Sequence, residues 1–268
     1  MRDDLPLQAR KRFGQNFLHD AGVIERIVDI INPQTDEHLL EIGPGRGALT
    51  DLLSNSGASL DCVELDRDLA DHLQQKFSNH SNVRVMQQDI LKFDLTSLST
   101  SNATHRLRVI GNLPYNISTP VLFHLLHNHH LIQDMVFMLQ LEVVQRMTAD
   151  IGTKQYGRLG LMLRYYCAVE HLFNVPAAAF SPRPKVMSAM VRLVPHRPLP
   201  CPATTPKLLA TVIRTAFNQR RKTLKNSLKT IIPETLLSTI PVDFSQRPEQ
   251  LPLADYVLIS NMLAADEA

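Results

Sequence analysis

Cysteine is scarce in this chain: 268 residues carry three, Cys62, Cys167 and Cys201. An odd count with no metal-ligand spacing excludes a disulfide framework and a zinc ribbon. It points to reduced thiols in a cytoplasmic protein, with no metal expected. Cys62 and Cys167 lie in apolar runs and read as core. No apolar run approaches the roughly 20 residues that span a bilayer, so no membrane partner is expected. The opening Met1-Arg2-Asp3-Asp4 is polar and lacks the apolar centre of a secretory signal. Internal repeats and low-complexity tracts are also missing.

Carboxylates are absent from one long stretch. No Asp or Glu falls between Glu170 and Glu234, whereas Arg183, Lys185, Arg192, Arg197, Lys207, Arg214, Arg220, Arg221, Lys222, Lys225 and Lys229 all do. A second basic cluster, Arg10-Lys11-Arg12, opens the chain, although the net charge is only +2. Soluble surfaces normally mix signs, so a one-signed region is the footprint expected of a phosphate-backbone binder. A solvated helix face is the competing reading for such a run.

The first two-thirds alternate short apolar runs with amphipathic ones. His38–Ile42, Ser59–Val63, Val83–Met86, Leu107–Ile110 and Met135–Leu139 read as strands. The spacing predicts helices over Gly22–Ile31, Ala48–Asn55, Arg67–Phe77, Ser118–His127 and Glu142–Ala149, with Ser118 as an N-cap and Pro120 in the first turn. Such alternation implies a mostly parallel α/β sheet with helices on both faces. Ala168–Val175 and Val186–Leu193 would complete it as an antiparallel pair. Prolines 195, 198, 200, 202 and 206 then punctuate a linker. Helical patterns follow at Pro206–Phe217, Lys222–Thr230, Glu234–Ile240 and Leu253–Ala264. Two domains are therefore expected, residues 1–195 with the sheet and a small all-helical domain over 206–268.

Glu41-Ile42-Gly43-Pro44-Gly45-Arg46-Gly47 follows the first strand and opens a helix. Its alternating glycines let the backbone turn sharply and approach a ligand. The spacing differs from the G-x-G-x-x-G fingerprint for a pyrophosphate, and an acid, Glu41, precedes it. A carboxylate there disfavours phosphate and suits a cation. Glu64 ends the second strand, placed to accept hydrogen bonds from both ribose hydroxyls. Asp89 ends the third, placed to receive an adenine amine, or else to cap the turn that starts at Ile90. Ligands of such sheets bind beyond the carboxyl ends of the strands. Together these residues describe a site for an adenosine without phosphate but with a positive centre, which S-adenosylmethionine satisfies.

Asn112-Leu113-Pro114-Tyr115 follows the fourth strand. It delivers a carboxamide, two backbone carbonyls and an aromatic ring to one sheet edge, the set that methylation of a purine's exocyclic amine needs. That amine is a poor nucleophile because its lone pair is delocalised into the ring. Acceptors on its hydrogens, here the Asn112 oxygen and the Leu113 or Pro114 carbonyl, draw it toward tetrahedral geometry, with Tyr115 stacked on the base. A polar turn ending a strand is the bland alternative.

These motifs carry a family resemblance. Arg12-Phe13-Gly14-Gln15-Asn16-Phe17-Leu18, Glu41-Ile42-Gly43-Pro44-Gly45, Asn112-Leu113-Pro114-Tyr115, Phe180-Ser181-Pro182-Arg183-Pro184-Lys185-Val186, Phe217-Asn218-Gln219-Arg220-Arg221-Lys222-Thr223-Leu224 and Arg247-Pro248-Glu249-Gln250-Leu251 resemble the bacterial small-subunit (16S) ribosomal RNA adenine N6-dimethyltransferases. The likeness runs from about Lys11 to Leu263. It implies a Rossmann-like class I methyltransferase sheet and S-adenosylmethionine as methyl donor. The implied acceptors are two adjacent adenosines in the terminal hairpin of small-subunit rRNA, within a partly assembled subunit late in its biogenesis.

Carried over residue by residue, it implies cofactor contacts at Asn16, Leu18, Gly43, Gly45, Glu64, Asp89 and Asn112. Base contacts fall on Asn112, Leu113, Pro114, Tyr115 and Phe180, with direct in-line methyl transfer to N6. Phe180 also reads as a core aromatic before a Pro-rich turn. Arg220, Arg221, Lys222 and Lys225 are read as phosphate contacts. Met187 departs from the pattern, which often has an aromatic there. Two alternatives stay in view: the relatives that methylate one adenine of large-subunit rRNA, against which Leu113 and the basic tail count, and a non-enzymatic RNA-binding factor on the same fold. A monomer is expected, since no long exposed apolar seam stands out.

Overall fold

The structure is a computed structural model and describes residues 9–10, 13–98 and 106–266. Lys11, Arg12 and Met1-Arg2-Asp3-Asp4 lie outside the described residues. The strands are β1 (Phe17–Leu18), β2 (His38–Ile42), β3 (Ser59–Glu64), β4 (Val83–Gln87), β5 (Leu107–Asn112), β6 (Ile132–Gln140), β7 (Cys167–Val175), β8 (Phe180–Ser181) and β9 (Ser188–Pro195). Seven of them form one sheet in the order β4-β3-β2-β5-β6-β9-β7, and β1 pairs with β8 in a separate ribbon. β2 runs parallel to β3 and β5, β3 to β4, and β5 to β6, while β9 is antiparallel to β6. Parallel strands covered on both faces are near-continuous apolar runs, and Leu39, Leu40, Ile42, Val109 and Ile110 are all buried. The order reverses between β2 and β5, which places a crevice at their carboxyl ends.

The helices are α1 (Ala21–Ile31), α2 (Thr50–Leu53), α3 (Arg67–Lys76), α4 (Ser118–His127), α5 (Leu141–Met147), α6 (Arg158–Tyr166), α7 (Pro206–Asn218), α8 (Leu224–Leu228), α9 (Glu234–Leu237) and α10 (Leu253–Asp266). Asp20 caps α1 by accepting from the Val23 N–H, and Asn32 ends it in the left-handed region before Pro33. The helix predicted over Ala48–Asn55 is shorter, α2 tightening into a 3₁₀ turn over Ser54–Ser56. Ser118 does not cap α4. It is the first helical residue, Ile117 holds the cap position, and the Ser118 hydroxyl donates to the Tyr115 carbonyl at 3.3 Å.

A charged cluster crosses the amino-terminal half of the sheet. Arg108 on β5 donates to both oxygens of Asp134 on β6, at 2.8 and 3.1 Å, and to Glu37 at 2.7 Å. Arg192 on β9 reaches the same Asp134 at 2.8 Å. Burial raises the Asp134 pKa, but the two guanidiniums outweigh it and hold the carboxyl below its ordinary range.

Two compact units emerge: residues through Val144 with Glu170–Pro195, and Gln145–Val169 with residues from His196 onward. The expected first domain ran unbroken to residue 195, but Gln145–Val169 packs with the C-terminal helices. Side chains make the reason plain. The Tyr156 hydroxyl donates to the Leu251 carbonyl at 2.8 Å, and the Gly152 N–H donates to the Glu249 carbonyl at 2.7 Å. The Phe217 ring lies 6.4 Å from Tyr156 and 6.0 Å from Tyr256. The buried α6 completes this unit. Among the described residues no helix is long and apolar enough to cross a membrane.

Candidate active site

One cavity opens at the carboxyl ends of β2, β3 and β5, and it gathers residues scattered over a hundred positions of chain. Asn16, Leu18, Gly43, Gly45, Glu64, Asp89, Asn112, Leu113, Pro114 and Tyr115 all line it. The loop after β2 builds its floor. Gly43 and Gly45 have φ of +66° and +62°, which a side chain adopts only with strain. A Cβ at Gly43 would meet nothing within 4 Å, so that position faces open space. At Gly45 it would press on the Phe17 ring at 3.2 Å. The Arg46 guanidinium lies over the same ring, 4.4 Å from its centre.

Two carboxylates sit under this loop. Glu64 accepts from the Gly45 N–H at 3.1 Å and from the Asp66 N–H at 2.9 Å, one on each oxygen. Burial nevertheless raises its pKa above the ordinary value, the Asp66, Gly45 and Leu65 amides opposing the shift. Glu41, at 2% exposure, accepts from the Thr50 hydroxyl at 2.7 Å. Burial pushes Glu41 up to about 7, against that hydrogen bond and with help from the Glu64 charge. Two desolvated acids side by side favour a cation in the cavity. Asp89 caps the turn at Ile90–Lys92 by accepting from the Leu91 N–H at 3.0 Å, so the capping reading holds. Among the described residues only one of its oxygens is used, and the residue still lines the cavity.

The end of β5 and the residues after it form another wall of the cavity. The Asn112 Nδ2 donates to the Asn16 carbonyl at 3.0 Å. Since a carbonyl only accepts, the amide orientation is fixed and Oδ1 is left as the acceptor. The Pro114 carbonyl accepts from the Ile117 N–H at 3.1 Å with one of its two lone pairs, whereas among the described residues no backbone N–H donates to the Leu113 carbonyl, the freer main-chain acceptor. The Tyr115 hydroxyl is 2.7 Å from the Ser188 hydroxyl, a contact that fixes the ring. Burial raises the Tyr115 pKa, so the phenol is neutral. Gly111 is obligatory just before this edge, because a Cβ there would lie 2.5 Å from the Ile42 carbonyl oxygen.

The amino-terminal segment straps this site. Arg10 pairs with Asp66 at 2.9 Å and with Asp68, and Gln15 donates to Asp66 at 3.1 Å. Asn16 and Leu18 are thereby held against the loop and the end of β5.

Phe180 is the exception among the expected site residues. It is 3% exposed, pairs across the ribbon with Leu18 and packs with Ile110, Met138 and Met190. It does not line the cavity, so its position here is that of a core aromatic. The basic residues also divide. Arg220 donates to the Lys154 and Thr153 carbonyls at 2.6 and 3.1 Å and faces Glu249 at 3.7 Å, so it braces its own unit. Lys225 pairs with Glu234 at 3.2 Å. Arg221 and Lys222 are exposed. The acid-free stretch is thus partly neutralised by acids from elsewhere, which a linear reading does not show.

Sequence reasoning overlooked Phe17, Leu65 and Ile90, which also line the cavity. The available signal was Leu65 itself, an apolar residue set between Glu64 and Asp66 at a strand end; in the structure it is exposed. Among the described residues no group of His, Cys, Asp and Glu is arranged to hold a metal.

Comparison with known proteins agrees with this architecture. The family described as ribosomal RNA adenine dimethylase matches residues 7–265. The ribosomal RNA small subunit methyltransferase A of Pseudomonas putida is 56% identical over 264 residues, covering 98% of each chain. That of Pseudomonas aeruginosa is 56% identical over 257 residues, 96% of this chain and 95% of the relative. Among solved structures, the 23S rRNA methyltransferase ErmE superposes with a TM-score of 0.71 at 25% identity, over 93% of this chain and all of its own. A dimethyladenosine transferase from Plasmodium falciparum shares the fold, with a TM-score of 0.75 at 23% identity over 91% of this chain and 95% of that one. The fold is the Rossmann-like sheet of the methyltransferases, and the chain belongs to the ribosomal RNA adenine dimethylase family.

Proposed function

We propose that this enzyme dimethylates N6 of two adjacent adenosines in the 3′-terminal hairpin of small-subunit (16S) rRNA, with S-adenosylmethionine as donor. Its substrate is a partly assembled subunit late in biogenesis, and it works as a cytoplasmic monomer. The carrying observation is the Asn112 carboxamide, whose nitrogen end is tied to the Asn16 carbonyl and whose oxygen end is thereby left for the substrate amine.

S-adenosylmethionine supplies, when bound, an activated methyl group on a cationic sulfur. The cavity fits it: Glu64 would hold the ribose hydroxyls through lone pairs that the Gly45 and Asp66 amides leave free. Asp89 would hold the adenine amine with its unused oxygen. The buried Glu41 and Glu64 favour the ligand's positive charge, and the open space over Gly43 admits its body.

On the substrate side, Asn112 Oδ1 and the Leu113 carbonyl accept the two hydrogens of N6. They localise its lone pair and stabilise the positive charge that grows on nitrogen. Tyr115 stacks on the extruded base, a contact of about 1–3 kcal/mol that offsets much of the few kcal/mol of unstacking. The alkylated nitrogen is acidic enough to lose its proton without a dedicated base. After one methylation a single hydrogen remains, and either acceptor suffices for the second round. Phe180 would join Tyr115 only by leaving its packed position. Phosphate contacts fall to Arg221 and Lys222, and Lys225 can exchange its exposed Glu234 for a phosphate at little cost.

The names of the 56% identical relatives support the small subunit over the large. Incubation of unmethylated small subunits with labelled cofactor, followed by nucleotide mapping, tests the reading. Label on two adjacent adenosines, two methyls each, is expected. Label on large-subunit rRNA, or on neither, would refute it.

A further inference from the structure

Between β8 and β9 the chain runs Pro182-Arg183-Pro184-Lys185-Val186-Met187, exposed except at the half-buried Pro184. It is nevertheless firmly held. On its near side Phe180 and Ser181 pair with Leu18 and Phe17. On its far side the Met187 carbonyl accepts from the Leu141 N–H at 3.0 Å, and the next residue, Ser188, is the fully buried partner of Tyr115 at 2.7 Å. Two prolines stiffen the span between these anchors. A single exposed aliphatic side chain is ordinary. Here two adjoin, Val186 at 45% and Met187 at 44% exposure, beside two cations. Arg183 and Lys185 make no ion pair among the described residues. Met187 immediately precedes Ser188, the partner of Tyr115, about 3.8 Å away between Cα atoms.

An adenosine that enters the cavity leaves its stack, and the neighbouring base loses a stacking partner on the side facing the protein. Covering that face calls for an apolar shelf just outside the cavity. Following the strand onward calls for positive charge beside the shelf, the combination used to bind single strands. This loop supplies both, on the side where Tyr115 is anchored. We propose that it seats the nucleotide next to the one being methylated, Val186 and Met187 packing on its base and Arg183 and Lys185 holding its phosphates. For a pair of adjacent adenosines, the one outside the cavity occupies the shelf while the other reacts. The inference rests on the proposed function and adds the residues that read the substrate's second position.

The test uses unmethylated small subunits and the full-length enzyme, measuring kcat, the KM for subunits, its salt dependence and cofactor affinity by calorimetry. R183A/K185A is expected to raise KM roughly tenfold near physiological salt and to flatten the log–log salt slope by about 1.5–2. V186S/M187S is expected to raise KM several-fold with the slope unchanged, and Met187→Phe to keep or lower the wild-type KM. Cofactor affinity stays at the wild-type value in all three, which also reports that they fold. An unchanged KM and slope in R183A/K185A, or an unchanged KM in V186S/M187S, would overturn the seat. Equal losses of cofactor affinity and KM would overturn it too, assigning the loop to support of Tyr115. Wild-type enzyme that labels no small-subunit rRNA would overturn the functional reading as well, whereas wild-type labelling with unaffected variants removes the seat alone.

Discussion

Replacing Glu41 with glutamine separates the cost of burying a carboxylate from the use made of it. The side chain is 2% exposed and its pKa is raised from 4.5 to about 7, burial being the main cause. At about 1.4 kcal/mol per pKa unit, ionised Glu41 costs the folded chain about 3 kcal/mol. The sign follows from linkage. Below pH 4.5 the carboxyl is protonated in the folded and unfolded chains alike, and stability is unaffected. Between 4.5 and about 7 only the unfolded chain ionises, so stability falls as pH rises. Above that window both are ionised and the full penalty is present. The carboxamide of the Glu41→Gln variant resembles the protonated acid and can still accept from the Thr50 hydroxyl. Urea unfolding without cofactor should therefore give similar midpoints for the two proteins near pH 4.5. By pH 8 the variant's midpoint should be higher by about 1 M or more. Cofactor affinity should move the other way. The wild type tightens as pH rises through 7 and Glu41 becomes an anion facing a cation, while the variant stays flat. A stability difference that does not change with pH, or a variant less stable at pH 8, would refute the reasoning.

Asn112→Ala should cut methyl transfer by about 10²–10³-fold, the usual loss for one acceptor or donor aimed at developing charge, with subunit binding near normal. It also frees the Asn16 carbonyl, so calorimetry should show a few-fold weaker cofactor binding. Equal losses of transfer and subunit binding would mean a structural turn. Gly111→Ala must push β2 and β5 apart to clear the Ile42 carbonyl, and thermal unfolding should show a loss of about 1–3 kcal/mol or more. Reversing charge at Arg221 and Lys222 should weaken subunit binding most at low salt and leave cofactor affinity alone. A salt slope equal to the wild type's would exclude that surface.

Strand positions were legible because buried parallel strands are apolar runs cut off by glycine, proline or acids. His38–Ile42 and Ser118–His127 match the predicted bounds residue for residue. The loop, Glu64, Asp89 and Asn112 were legible as a set because a doubly wound sheet brings successive strand ends to one crevice. What was not legible depended on partners far away in sequence. The β1–β8 ribbon has two residues per strand, too few for any period. The burial of Phe180 follows from that ribbon, and the bracing of Arg220 follows from backbone carbonyls that carry no sequence mark. Helix α6 contains Gly160, where a Cβ would lie 2.6 Å from the Arg146 carbonyl oxygen, so close packing rather than propensity determines it.

The Arg108–Asp134–Arg192 cluster has a reach beyond its own location. Sliding β6 past β5 by a single position would strand these ions in an apolar layer without counter-charges, at several kcal/mol apiece. It therefore acts as an indexing pin for the sheet. Asn112 lies four positions further along the strand from Arg108, about 13 Å away at 3.3 Å per residue. The aim of a carboxamide at one end is thus calibrated by ions at the other, and damage there would appear as poor chemistry with every reacting group still intact.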